Sequence, residues 1–196
     1  MVDTCWEDDH KAMDVEVRKE MKQIHLEKVT EDNVGGIVRL RVAKEQRNFV
    51  ASNDWSLIDA YLSLAEGKPV FPFGIYHGKT LVGFIMMDYG DDWTGYEREA
   101  WINSEDYKFF EGKKYYYVWR FMIDKKYQGR GYGKEAMKLA LDFIRTFPCG
   151  KAEYSALSYE PENEVAKKLY ASFGFKEILG PGYYEEGDEI TAVLKL

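Results

Sequence analysis

YYYVWRFMIDKKYQGRGYGK, residues 115–134, holds the strongest pattern in the chain. Its first half is a run of aromatic and aliphatic residues, the composition of a strand covered on both faces. Its second half, Gln128-Gly129-Arg130-Gly131-Tyr132-Gly133, leads straight into KEAMKLALDFIRTF, which has the apolar spacing of a helix. Strand, glycine loop and helix together present successive backbone N–H groups and a helix N-terminus to a phosphate. Two familiar phosphate loops do not fit. A P-loop needs G-x-x-x-x-G-K followed by Ser or Thr; Gly129 to Gly133 is one residue short, and Glu135 stands where the magnesium-binding hydroxyl belongs. A dinucleotide fingerprint reads G-x-G-x-x-G and opens a mononucleotide-binding half, whereas this loop reads G-x-G-x-G and lies past mid-chain.

Composition bounds the rest. The 196 residues suit one domain with a substantial core, and 45% hydrophobic with 16% aromatic residues argue against disorder. No apolar run is long enough to span a membrane, and the N-terminus MVDTCWEDDH is acidic, unlike a signal or transit peptide. Cys5 and Cys149 make no disulfide framework, and with His10, His25 and His77 they show no metal-ligand spacing, so no metal is expected. A soluble cytoplasmic protein is the expectation. The net charge of −7 disfavours a nucleic-acid partner. It is unevenly spread: Asp88 to Glu111 carries eight acidic and two basic residues, a balance of −6, while Asp124 to Lys138 carries five basic and two acidic, a balance of +3. An anionic ligand at the glycine loop and a cationic one near the acidic segment would both suit that separation.

In order, residues 1–22 form a mixed-charge extension with a thin apolar stripe (Met13, Val17, Met21), which could serve a homodimer contact. The domain is expected over residues 23–196. Ile24–Thr30 reads as a strand, Thr30-Glu31-Asp32-Asn33 as a helix start, and VGGIVRLRVAKEQRNFVA as the helix that follows. WSLIDAYLSLA is a second helix, and Phe73–His77 with Thr80–Met87 a hairpin in which His77 is a turn residue. Residues 88–114 show no strong period. After the central strand, loop and helix come a strand at Ala152–Tyr159, a helix opened by Glu160-Pro161, and two closing strands. The order is β-α-α-β-β-β-α-β-α-β-β, an α/β (α+β) arrangement with a mixed sheet of about seven strands and helices on both faces.

Two motifs carry a resemblance. Gln128-x-x-Gly131-x-Gly133 after a buried strand, and Asn163-x-x-Ala166-x-x-Leu169-Tyr170-x-x-x-Gly174-Phe175 downstream, resemble the pyrophosphate loop and the following helix–strand signature of the GNAT superfamily of acyl-CoA N-acyltransferases. The resemblance covers the chain from about residue 24 to 196 and implies the GNAT fold and acetyl-CoA as donor. By it, the pyrophosphate would sit on the backbone of Gln128, Gly129, Arg130, Gly131, Tyr132 and Gly133, with Arg130 and Lys134 adding charge. Side chains at Gly129 or Gly131 would obstruct that approach. Pantetheine would pair with the backbone of Phe121, Met122 and Ile123, where an N–H would also face the developing oxyanion. Asn163 would hydrogen-bond the pantetheine arm, and Tyr170 would act as general acid toward the departing thiolate, since a phenol near ~10 lies above a thiol near ~8.5. Many relatives carry a carboxylate base on the central strand; here those positions are Trp119 and Arg120, which leaves the base unassigned.

Val42-Ala-Lys-Glu-Gln-Arg-Asn-Phe-Val-Ala-Ser-Asn53, with the Phe73-Gly-Ile-Tyr and Leu-Val-Gly-Phe hairpin, is similar to bacterial diamine (spermine/spermidine) acetyltransferases of this superfamily. That similarity implies a small polyamine acceptor and offers Glu45, Gln46, Asn48 and Trp119 as acceptor-site residues. Trp93 and Trp101 in the acidic segment would add cation–π contacts. The alternatives are an aminoglycoside or a protein or peptide amine as acceptor, and a non-catalytic acyl-CoA-binding module.

Overall fold

The computed structural model describes residues 23–90, 105–179 and 189–196. The described strands form one mixed seven-stranded sheet in the order β1-β2-β3-β4-β5-β7-β6. The elements are β1 (Ile24–Lys28), α1 (Glu31–Ile37), a 3-10 turn (Lys44–Gln46), α2 (Asn53–Ala65), β2 (Val70–His77), β3 (Thr80–Gly90) and α3 (Glu105–Phe110). Then follow β4 (Tyr115–Ile123), α4 (Tyr132–Ile144), β5 (Tyr154–Tyr159), α5 (Glu164–Ser172), β6 (Lys176–Glu177) and β7 (Ile190–Lys195). No helix among the described residues is long and apolar enough to cross a membrane.

β4 lies mid-sheet, as its composition predicts, and Tyr115 to Val118 are buried. The first four strands pair antiparallel, β4 and β5 run parallel, and β5 and β6 each pair antiparallel with β7. On one face α4 buries Ala136, Met137, Ala140, Leu141 and Ile144, spaced for one helical stripe, against Ile85, Met87, Tyr116 and Leu157. On the other face Ile37 and Leu40 after β1, with Ala60 of α2, pack on Phe84, Met86 and Met122.

Two irregularities make the cleft. Met86 pairs with Arg120 and Met87 with Val118, so Trp119 is an extra, unpaired residue in β4: a β-bulge. On the other edge of β4 the parallel ladder with β5 runs only from Tyr115↔Tyr154 to Val118↔Leu157. Past the bulge, β4 and β5 part.

Three expectations need correction. The helix expected over residues 34–51 ends at Ile37. Gly35 and Gly36 weaken it by about 1 kcal/mol each relative to alanine. Longer-range bonds then claim the backbone: Asn53 Nδ2 donates to the Ile37 carbonyl (2.9 Å), and Arg41 N donates to Asp124 Oδ2 (2.9 Å). Residues 42–51 are thereby released to line the cleft. The helix expected from Glu160-Pro161 starts at Glu164, with Asn163 as its N-cap. The long acidic connection is shortened from both sides, because β3 runs to Gly90 and Glu105–Phe110 is helical.

Candidate functional site

The fork between β4 and β5 opens two adjoining cavities, of about 470 Å3 and about 310 Å3, which share Phe49, Val50, Phe121, Asn163 and Tyr170. The larger is lined by Val42, Gln46, the Phe121–Ile123 end of β4, the glycine loop and Leu169 of α5. The smaller is lined by Asn48, Ala51, Tyr117, Trp119, Arg120, Ser158, Tyr159 and Glu189. The structure thus brings together sequence-predicted residues from three separate segments.

The larger cavity ends at the glycine loop. Gly129 and Gly131 sit at φ 74° and 83°, the left-handed region that side chains rarely adopt, and Gly131 is the N-cap of α4. A Cβ at either would meet nothing within 4 Å, so the backbone conformation, rather than crowding by protein atoms, calls for glycine there. The backbone N–H groups of Gly129 through Gly133 find no acceptor among the described residues, whereas Lys134 N and Glu135 N already bond to Gly131 O. Five unengaged donors at a helix N-terminus suit a diphosphate. Arg130 folds back, donating to the Lys126 carbonyl (3.0 Å) and lying over the Tyr127 ring, while Lys134 is exposed at the cavity. Tyr132 stacks on His77 (4.8 Å between rings), which is the last residue of β2 rather than part of the turn. Gln128 turns inward: its Nε2 donates to Gln46 Oε1 (2.8 Å) and to the Ile123 carbonyl (2.9 Å).

Asp124 N donates to Val82 O (2.8 Å), which fixes the strand alternation. Met122 therefore presents its backbone groups to β3, and Phe121 and Ile123 present theirs to the cleft. Asn163 caps α5, its Oδ1 accepting from Ala166 N (3.1 Å), and its Nδ2 has no partner among the described residues. Tyr170 is 8% exposed, flanked by the rings of Tyr159 and Phe175, and lines both cavities. Burial first, and the nearby Glu189 charge second, raise its phenol well above the ordinary range, so it is protonated at neutral pH.

The smaller cavity has mixed charge. Arg120 is partly buried. Burial lowers its pKa, and Asp59 opposes that shift. Its Nη2 lies 3.4 Å from Asp59 Oδ2, its guanidinium lies over the Trp119 ring, and its Nε has no partner among the described residues. Burial pushes Asp88, across the ladder from Tyr117, up to about 7, against the pull of the Tyr117 backbone N–H and of Arg120. Tyr117 donates to Ser158 Oγ (2.7 Å), and Ser158 Oγ donates to Glu189 Oε2. Burial also raises the Tyr117 phenol well above its usual range. Glu45 is exposed on the 3-10 turn and lines neither cavity. Trp93 and Trp101 lie outside the described residues.

Sequence reasoning missed Ser158, Asp59 and Glu189. None sits in a motif, and only the fold brings them beside Arg120 and Tyr117. Among the described residues no cluster of His, Cys, Asp or Glu could hold a metal ion.

Comparison with known proteins identifies the family. The profile of the acetyltransferase (GNAT) family matches residues 43–175. The spermine/spermidine N(1)-acetyltransferase of Bacillus subtilis strain 168 is 32% identical over 155 residues, 78% of this chain and 88% of that protein. A probable spermine N(1)-acetyltransferase of Bacillus subtilis subsp. natto is 33% identical over the same shares. Among solved structures, the aminoglycoside acetyltransferase AAC(6')-Ib with coenzyme A superposes with TM-score 0.61 at 15% identity, covering 88% of this chain and 95% of that one. The PaiA N-acetyltransferase of Thermoplasma acidophilum with coenzyme A gives 0.55 at 14%, covering 89% and 99%. At these identities the structural likeness concerns the fold alone.

Proposed function

The chain belongs to the acetyltransferase (GNAT) family and is an acetyl-CoA-dependent N-acetyltransferase, and from that premise we propose that it acetylates a primary amine of a polyamine such as spermidine or spermine. The observation that carries this is the 32% identity to a spermine/spermidine acetyltransferase across 78% of the chain. The smaller cavity supports it. Glu189 lines it, and beyond its wall Asp59 and Asp88 flank the Arg120 guanidinium and offset that positive charge.

In this reading acetyl-CoA occupies the larger cavity. Its diphosphate lies on the N–H groups of Gly129–Gly133, its pantetheine runs along Phe121–Ile123 and under Asn163, and its thioester reaches Tyr170. The acceptor enters the smaller cavity, between Asn48 and Trp119, and its nitrogen attacks the thioester carbonyl directly. A backbone N–H of the β4 edge meets the developing oxyanion, and Tyr170 gives its proton to the departing sulfur. A phenol held protonated by its surroundings is available for that step across the neutral range.

The test is thiol release from acetyl-CoA with spermidine, spermine, kanamycin and a free peptide amine supplied separately. Spermidine or spermine should give the highest kcat/KM. If neither exceeds the rate without acceptor, the polyamine assignment is wrong.

A further inference from the structure

An amine acceptor presents a protonation problem that Trp119 and Arg120 cannot solve. An alkylammonium near ~10 is almost fully charged at neutral pH and has no lone pair to attack with. An indole and a guanidinium accept no proton. Among the described residues, one carboxylate lines the smaller cavity: Glu189, immediately before β7.

Its setting is built by three strands. β5 and β7 pair antiparallel up to Tyr159↔Ile190, which places Glu189 beside Ser158. Ser158 Oγ donates to Glu189 Oε2 and is itself held by the Tyr117 hydroxyl of β4 at 2.7 Å. One carboxylate oxygen is thereby fixed, and Oε1 has no hydrogen-bond partner among the described residues. Among the described residues, the charged and titratable groups facing Glu189 are Arg120 and Tyr117 of β4, Tyr170 of α5 and Glu160 after β5, with Asp88 of β3 behind Tyr117. Glu189 is itself exposed, so a proton it takes up can leave to water.

We propose that Glu189 is the general base of the transfer, held in place by the Tyr117–Ser158 hydrogen-bond chain. The inference rests on the reading of the smaller cavity as the acceptor site. The protons balance as follows. Glu189 takes one proton from the bound ammonium and passes it to solvent. The freed nitrogen lone pair then forms a bond to the acetyl carbon, and the C–S bond breaks with its electron pair on sulfur. Tyr170 protonates that sulfur. The remaining surplus N–H proton goes to Glu189 and, through solvent, restores Tyr170. The products are the amide, CoA thiol and one proton in solution.

The experiment compares wild type with Glu189→Gln, a near-isosteric change at an exposed position, by thiol release across about pH 6.5 to 10. Acetyl-CoA affinity and melting temperature are measured alongside. At pH 7 the variant should lose about 100-fold in kcat/KM for the acceptor. It must then rely on the free-amine fraction, which rises tenfold per pH unit below ~10, so its deficit should shrink steadily as pH rises. Ser158→Ala should lose less and follow the same trend.

A deficit that does not change with pH would overturn the proposal, and so would a raised KM with kcat unchanged, which would make Glu189 an anchor for the cation. Running spermidine and kanamycin in parallel keeps the two readings apart. If kanamycin alone is turned over, the polyamine assignment falls, while the pH trend with kanamycin still decides Glu189.

Discussion

Gln128 Nε2 donates at once to Gln46 Oε1 (2.8 Å) and to the Ile123 carbonyl (2.9 Å), tying the glycine loop to the 3-10 turn and to the end of β4. Gln128 therefore shapes the loop from behind rather than reaching for phosphate. Each such bond contributes about 0.5–1.5 kcal/mol. Gln128→Ala should raise KM for acetyl-CoA about tenfold, the equivalent of about 1.4 kcal/mol, with kcat nearly unchanged. Steady-state kinetics with acetyl-CoA as the varied substrate checks this; an unaltered KM would refute it.

Gly131→Ala and Gly133→Ala should behave differently. At φ 83° an alanine at 131 is strained by about 1–2 kcal/mol, and its Cβ would intrude on whatever lies against the loop. At 133 the new Cβ would meet Phe121, Ile123 and Leu169 at 3.7–3.9 Å, ordinary contact. Chemical denaturation should show a clear loss of stability for the first and little change for the second. Equal losses would show that φ is not what selects glycine.

Tyr170→Phe should lower turnover by about 10²–10⁴-fold and leave acetyl-CoA affinity within about twofold. Because burial raises the Tyr170 phenol, its ionisation should produce no fall in wild-type kcat below about pH 10. A descending limb near pH 9 that disappears in Tyr170→Phe would contradict this assignment.

Asp88 makes a separate prediction about stability. Its carboxyl is pushed up to about 7 in the folded protein, mainly by burial. The unfolded chain loses that proton near ~3.9, so between these values the folded state binds more protons and is favoured by lower pH. The contribution is complete below about pH 4 and is lost as pH rises through about 7. Relative to Asp88→Asn, which cannot ionise, wild type should lose ground between about pH 5 and pH 8 in urea midpoint. A pH-independent difference would refute the shift.

What the sequence made legible was what short-range pattern encodes. The strand–loop–helix from Tyr115 to Ile144 and the Asn163–Phe175 unit are each specified by residues within one turn or one loop of each other. The element order along the chain and a mixed sheet of about seven strands were legible with them. Where long-range contacts override local preference, the reading failed. Residues 34–51 look helical, but Asn53 takes the Ile37 carbonyl and Asp124 the Arg41 N–H, and the helix stops at Ile37. Proline at 161 is permitted in a first helical turn, yet Asn163 supplies the actual cap. The base was illegible because Glu189 reaches the cavity only through the pairing of β5 with β7, which lets its carboxylate accept from Ser158 Oγ, 31 positions away.

The fork between β4 and β5 has a mechanical consequence. Four residue pairs, from Tyr115↔Tyr154 to Val118↔Leu157, are the whole ladder joining a four-stranded half of the sheet to a three-stranded half. The molecule is built like a clothes-peg: closed and tightly buried at Tyr116 and Ala156, open at Phe121 and Tyr159. The gap between the jaws is set at the hinge. Tyr116 and Ala156 at that hinge line neither cavity, yet the ladder they belong to sets how far apart β4 and β5 stand at Phe121 and Tyr159.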